Sequence, residues 1–173
     1  GDHGHWLPAA VVPFGLVELC PDTYPGSLTA DGDLAHSGYD YSDSHLRGFS
    51  HFHHPSSGGT SIYDRSGLLS LIPFAAAPAD TFFRNPVVRF DKCSERARAG
   101  YYSARLTREN ILAELAALSH VGFHKYTFPE GSQVNLFLYE GNRSGSAGIT
   151  LKVIDDQTIE GVQSVFGGIH FVI

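Results

Sequence analysis

The chain has 173 residues, enough for one domain with a real core, and its 42% hydrophobic and 17% charged content is that of a globular protein, not a disordered one. A formal net charge of −6, with no run of Lys or Arg, argues against nucleic acid or an anionic membrane as partner. No apolar run approaches the about 20 residues that a membrane helix needs. Twelve Phe, eight Tyr and nineteen Gly favour strands and turns over a helical bundle.

In chain order, residues 11–20 predict a strand that Pro13 and Gly15 interrupt, as at an edge or a bulge. Residues 21–66 predict a long polar loop, because Pro, Gly, Asp, Ser and His dominate and no apolar period survives. Short strands with turn signals between them follow at 67–74, 87–91, 101–106, 121–128, 134–139, 149–154 and 168–173. Residues 111–119 carry Ile111, Leu112, Leu115 and Leu118 at helical spacing, yet they run directly into a strand-like segment, so helix and strand are evenly matched there. Residues 141–148 form a glycine- and serine-rich turn. The pattern predicts an all-β protein, an antiparallel β-sandwich forming a single domain over 1–173. Cys20 and Cys93 have no metal-ligand spacing, and both a disulfide and two free thiols are open. The chain opens with neither Met nor a charged-then-apolar leader, as expected of a processed secreted protein or a piece of a larger one.

The chemistry concentrates in one stretch. Between His36 and His54 lie five of the ten histidines, with Tyr39, Asp40, Tyr41, Asp43 and several serines. Such residues in a loop point to a binding surface for a polar ligand. His51 and His53 are two apart, so an extended segment turns both rings to one side, and His3 and His5 repeat the spacing. Four imidazoles could hold zinc if the segments met; otherwise they hydrogen-bond to one another, to backbone or to a ligand. No glutamate follows the pair as a cupin site requires, and the chain is too short for a (β/α)₈ barrel. Asp22, Asp31, Asp33, Asp40 and Asp43 are expected in hydrated loop, where aspartates cap turns more often than they act as acids. Trp6, Tyr39, Tyr41, Phe49 and Phe52 offer apolar faces beside hydrogen-bonding groups, a mixture that suits a carbohydrate.

Taken in order, the segments resemble the amino-terminal domain of glycoside hydrolase family 92, the calcium-dependent exo-α-mannosidases. The resemblance lies in Gly4-His5, the run from Pro8 to Gly15, Pro21-Asp22, Ser37-Gly38-Tyr39 and Asp43-Ser44. It continues through Gly48-Phe49-Ser50-His51 with His53, then Ala99 to Ser103, Ala113-Glu114-Leu115, the run from Gly122 to Pro129, and Ile159-Glu160-Gly161. Phe52 between the histidines and the His54-Pro55-Ser56 run depart from the family pattern. The resemblance implies a β-sandwich packed on a C-terminal (α/α)₆ catalytic domain, with the active site between them. It favours strand for 111–119. It further implies an α-mannoside or related glycan as substrate, an inverting mechanism and a periplasmic or secreted location. Calcium belongs to the complete enzyme, with most of its ligands in the barrel and none expected in this chain alone. Phe14, Gly15, Asp22, Asp43, His51 and His53 are then the substrate-binding residues, with no catalytic or metal residue here. The 173 residues alone are expected to be inactive on mannosides. A stand-alone carbohydrate-binding or structural domain is the alternative, and a histidine-rich zinc protein a further one.

Overall fold

The computed structural model describes residues 7–24, 38–53, 67–76, 80–141, 148–164 and 169–173. Among them are eleven strands and one short helix. The strands are β1 (Cys20–Tyr24), β2 (His45–Phe52), β3 (Leu68–Phe74), β4 (Val88–Arg98), β5 (Tyr101–Leu106), β6 (Ile111–Ala117), β7 (Gly122–Thr127), β8 (Asn135–Gly141), β9 (Ile149–Asp155), β10 (Thr158–Gln163) and β11 (Ile169–Val172), and the helix is α1 (Asp80–Arg84). All pairings are antiparallel. An eight-stranded sheet runs β7-β6-β5-β4-β2-β3-β8 with β1 beside β2, and a three-stranded sheet runs β11-β10-β9. The protein is an all-β antiparallel sandwich, as its turn spacing predicts.

The large sheet is curled. Four steps in the strand order separate β7 from β2, about 19 Å in a flat sheet. Instead, the ring of His124 on β7 lies 3.0 Å from that of His51 on β2, and Tyr126 approaches Phe49 with ring centroids 6.2 Å apart. The core fills the inside of the curl with Leu46, Phe49, Tyr102, Leu106, Ile111 and Leu115. Residues 10–19 span the gap between the two ends. Leu16 donates to the Ser119 carbonyl at 2.6 Å, and Glu18 donates to that of His51 at 2.9 Å. Gly122 leaves room for this segment, since a Cβ there would sit 2.9 Å from Leu19.

Two expectations need correction. Residues 21–66 are not one long loop: most of β1 and all of β2 lie there, and β2 is central, with Leu46, Gly48, Phe49, Ser50 and His51 buried. Polarity misleads because the buried polar groups find partners inside the sheet. Residues 11–19 form no strand, only a bridge from Leu19 to Ala10, and β1 begins at Cys20; Pro13 and Phe14 make a turn. The undecided 111–119 segment is strand β6, with strictly alternating burial that a helix could not show. Helix α1 and strand β10 went unforeseen as elements. Both cysteines are free, Cys20 buried and Cys93 exposed.

β2 changes neighbours along its length. His45 and Leu46 pair with β4, while Phe49, Ser50 and Phe52 pair with β3. Gly48 occupies the changeover at φ 149°, and a Cβ there would sit 2.5 Å from Ser70 Oγ and 2.9 Å from the Leu71 carbonyl oxygen. Opposite it the β1 register shifts between Asp22 and Thr23. On β3, Leu69 is buried at φ 51°, a left-handed conformation unusual for a leucine. Side chains take both of its backbone groups. Its N–H donates to Gln163 Oε1 at 2.9 Å, and its C=O accepts from His51 Nδ1 at 2.6 Å.

Gln163 is 0% exposed and also donates from Nε2 to the Glu140 carbonyl at 2.6 Å, so one side chain of β10 joins the small sheet to β3 and β8. Replacing it by a near-isosteric leucine, Gln163→Leu, removes the acceptor for the buried Leu69 N–H. We expect a loss of about 1–3 kcal/mol in urea unfolding; a change below about 0.5 kcal/mol would show that the sheets dock without it.

Candidate functional site

Asp22 and His53 come together where β1 meets the end of β2. Asp22 is 1% exposed, with Oδ1 accepting from the Gly67 N–H at 3.3 Å and lying 3.6 Å from His53 Nε2. The short contact of that nitrogen goes to Ser50 Oγ, at 2.7 Å. Gly67 closes the cluster, because a Cβ there would fall 1.9 Å from Ser50 Oγ and 2.8 Å from His53 Nε2. Asp22 Oδ2 is buried and has no hydrogen-bond partner among the described residues. Burial pushes the Asp22 carboxyl up to about 7, against the lowering pull of the Gly67 N–H, the Ser50 hydroxyl and the Arg47 guanidinium.

Serine, histidine and aspartate here do not make a nucleophilic triad. A triad needs the hydroxyl on one imidazole nitrogen and the carboxylate on the other. Here both face Nε2, and Ser50 is fully buried. Nor does Asp22 sit in hydrated loop as expected; it is buried, and burial favours its protonated form.

His51 belongs to a different cluster. Its Nδ1 meets only a carbonyl, that of Leu69, and must carry the proton. A neutral ring then leaves Nε2 bare, so His124 Nε2, 3.0 Å away, must donate to it. His124 Nδ1 is in turn an acceptor, and the Tyr126 hydroxyl donates to it at 2.7 Å. One direction of donation thus runs from Tyr126 through His124 and His51 to Leu69. Burial holds the His51 pKa down at about 4, and burial together with the neighbouring His51 holds that of His124 well below its ordinary value.

Phe14 and Gly15 form the turn that caps the closing segment. Gly15 N–H donates to the Val12 carbonyl at 2.9 Å, and its missing Cβ would lie 3.1 Å from Val12. Phe14 is fully exposed at φ 61°, a strained conformation for an aromatic residue. Asp43 is buried, but just ahead of β2 at its His45 end, with its N–H on the Asp40 carbonyl at 3.2 Å. Along extended backbone that end lies about 20 Å from His51. The structure therefore brings Asp22 to His53 and ties His51 to the Phe14 turn through Glu18, while Asp43 stands apart. Sequence reasoning overlooked His124, Tyr126, Ser50 and Gly67 as parts of these clusters. The His124-Lys125-Tyr126 alternation placed two polar rings on one strand face and was the available signal.

Two of the four imidazoles of the zinc alternative lie among the described residues. Both nitrogens of His51 are engaged, Nε2 of His53 faces Ser50, and His3, His5, Asp31 and Asp33 lie outside the described residues. Among the described residues no group of three or more His, Cys, Asp or Glu is placed to hold a metal ion.

The sequence matches the glycosyl hydrolase family 92 N-terminal domain over residues 1–170, and the chain belongs to that family. Its fold is similar to that of a family GH92 α-mannosidase from Bacteroides thetaiotaomicron, with a TM-score of 0.76 and 24% identity over 94% of this chain and 22% of that one. The GH92 glycosyl hydrolase ccman5 aligns with a TM-score of 0.68 and 28% identity, again over 94% of this chain and 22% of that one. A curated relative from Arthroderma benhamiae, described as an uncharacterized secreted glycosidase, is 27% identical over 134 residues, 75% of this chain and 16% of the relative. The chain thus spans about a fifth of the length of the proteins it resembles.

The two clusters respond to pH in opposite senses. In the unfolded chain imidazoles take up protons near pH 6.5, whereas folded His51 resists until about pH 4, so acid favours unfolding across that window. Folded Asp22 keeps its proton up to about pH 7 while the unfolded carboxyl releases it near 3.8, so rising pH costs stability until it passes 7. Asp22→Asn removes the second effect alone. Urea unfolding from pH 4 to 8 should show the variant more stable than the parent above pH 7. Below pH 6.5 its stability should fall the more steeply with acid, each proton contributing about 1.4 kcal/mol per pH unit. Parallel curves for the two proteins would show that Asp22 is ionised throughout.

Proposed function

We propose that this chain is the non-catalytic half of a calcium-dependent, inverting exo-α-mannosidase of the secreted or periplasmic space, contributing to the sugar pocket and packing on a C-terminal (α/α)₆ catalytic domain. The observation that supports the sugar-pocket role is Phe14, an aromatic ring fully exposed and held at a strained φ of 61°. Strain of this kind persists where the surroundings over-determine it, and it gathers at ligand sites. A sugar offers a C–H face that an exposed ring can cover. In this reading Phe14 touches the glycan. Gly15 and His51 hold its turn in place, His51 through the Glu18 N–H on its carbonyl, and Asp22 with His53 secures the adjoining strand ends. Asp43, at the far end of β2, serves the pocket only if it is supplied from a second direction.

The same end of the fold supports a packing role. Phe14, Leu16, Leu118, Val121 and Phe123 are all exposed, and Leu16 and Leu118 are joined through backbone bonds to Ser119 and Val121. An apolar surface of this kind marks an interface. The catalytic carboxylates fall to the partner domain. Inversion needs one protonated and one water-activating carboxylate about 6.5–9.5 Å apart at the sugar; burial raises the pKa of two described carboxyls, Asp22 and Glu18, and Asp22 is sealed from solvent. Calcium requires several oxygen ligands. Among the described residues no group of three or more His, Cys, Asp or Glu is placed to hold an ion, and the proposal follows the family resemblance in assigning most of the calcium ligands to the barrel domain.

The test compares the 173-residue chain with the complete gene product on an aryl α-mannoside, with calcium and after chelation. We expect no turnover by the chain alone and chelator-sensitive turnover by the complete product. Phe14→Ala in the latter should lower kcat/KM about tenfold while leaving thermal stability within about 1 kcal/mol. Turnover by the chain alone, or a Phe14→Ala enzyme of unchanged kcat/KM, would overturn the assignment.

A further inference from the structure

A cavity lies near the His45 end of β2, about 20 Å along the strand from His51. It encloses about 720 Å³ between α1, the end of β3, the start of β4 and the β5–β6 turn. That volume falls in the range of small-molecule sites. Its wall is aromatic, with Phe74 and Phe82 packed at 57° and ring centroids 5.3 Å apart. Its rim carries Arg89 and Arg108, with Asn85 as a further hydrogen-bonding group.

The charges at this rim do not cancel. Glu109 is committed: Oε2 accepts the Ala75 N–H at 3.1 Å, and Oε1 lies 3.8 Å from Arg108 Nε. Arg89 has no ion pair among the described residues. One guanidinium is therefore in surplus, in a chain whose net charge is −6. A guanidinium fork matches a carboxylate with two parallel hydrogen bonds. The single surplus charge, with Glu109 close by, favours a monoanion over a dianionic phosphate. An aromatic wall beside an anion receptor suits a ring with one apolar face.

We propose that this cavity binds a uronate, a sugar ring carrying one carboxylate, with the carboxylate on Arg89 and the ring against Phe82. The site is separate from the Phe14 turn and does not rest on the mannosidase reading. Titration of the 173-residue chain with glucuronate, glucose and glucose 6-phosphate, followed by ligand-observed NMR, tests it. We expect saturable binding of glucuronate, at least about tenfold tighter than glucose and tighter than glucose 6-phosphate. Arg89→Gln should weaken it about tenfold, the loss of one bidentate pair. Arg84→Gln, on the other side of α1, should leave it unchanged. Failure of glucuronate to saturate, equal binding of glucose, tighter binding of the phosphate, or equal sensitivity to Arg84→Gln and Arg89→Gln would each overturn the proposal.

Discussion

The curl of the large sheet is the constraint on which the other features depend. An open sheet would leave the apolar face of β2, with Leu46 and Phe49, exposed to water together with two imidazoles. Curling places Tyr102 from β5 and Tyr126 from β7 over Phe49, at ring distances of 6.2 Å in each case. It also supplies His51 with its donor. Apolar burial drives the closure, at about 25 cal/mol per Å² removed from water. The histidine pair, fixed by direction of donation, sets where the two ends meet. Residues 10–19 then bridge the gap, and the exposed turn at Phe14 is a by-product of that bridge. Sheet, histidines and turn are one mechanical unit.

Much of this was legible in the sequence and part of it was not, for physical reasons. Strands from Leu68 onward, β10 excepted, were recognisable because their apolar residues are bounded by turn chemistry; β6 buries every second residue, yet its Ile111–Ala117 tied with helix in the sequence because Ala and Leu serve both. β1 and β2 were hidden. Their sequences CPDTY and HLRGFSHF carry a Pro, a Gly and five hydrogen-bonding side chains outside the termini, which locally favour turns. What makes them strands is tertiary: Asp22 has the Gly67 N–H, His51 has Leu69 and His124, and Gly48 admits Ser70. Local reasoning cannot see partners so far along the chain. The same blindness affected the site. Two histidines at i and i+2 suggested one shared ligand, whereas the strand ends between them and sends each ring to its own cluster.

The histidines thereby change meaning. Imidazoles are commonly sought as ligands or proton carriers, and the density of them in this stretch invited both ideas. In the fold, His51 is a structural crosspiece, satisfied at both nitrogens and neutral through its burial. The surface group it supports is an aromatic ring with no polar atom. A family 92 domain built in this way keeps these polar residues dry and fixed and presents an apolar residue to solvent. Lys92, Glu95 and two tyrosines repeat the device under β4, where Glu95 accepts from the Tyr39 and Tyr102 hydroxyls and pairs with Lys92 at 3.1 Å.

The distorted backbone of Leu69 bears on the order in which the chain can fold. Its two anchors lie 18 residues upstream at His51 and 94 residues downstream at Gln163. A left-handed leucine is unfavourable by itself, and the downstream anchor arrives only when β10 is available. During synthesis β3 can associate with β2 early, yet the N–H of its second residue lacks the Gln163 acceptor until β10 has been made. Closing a loop of that length costs entropy that local contacts cannot offset, and topologies dominated by such distant pairings fold slowly. The domain is thus made to complete itself late, from its C-terminal strands, so that a chain stalled or cut before β10 retains a buried N–H with no acceptor and stays open to proteolysis.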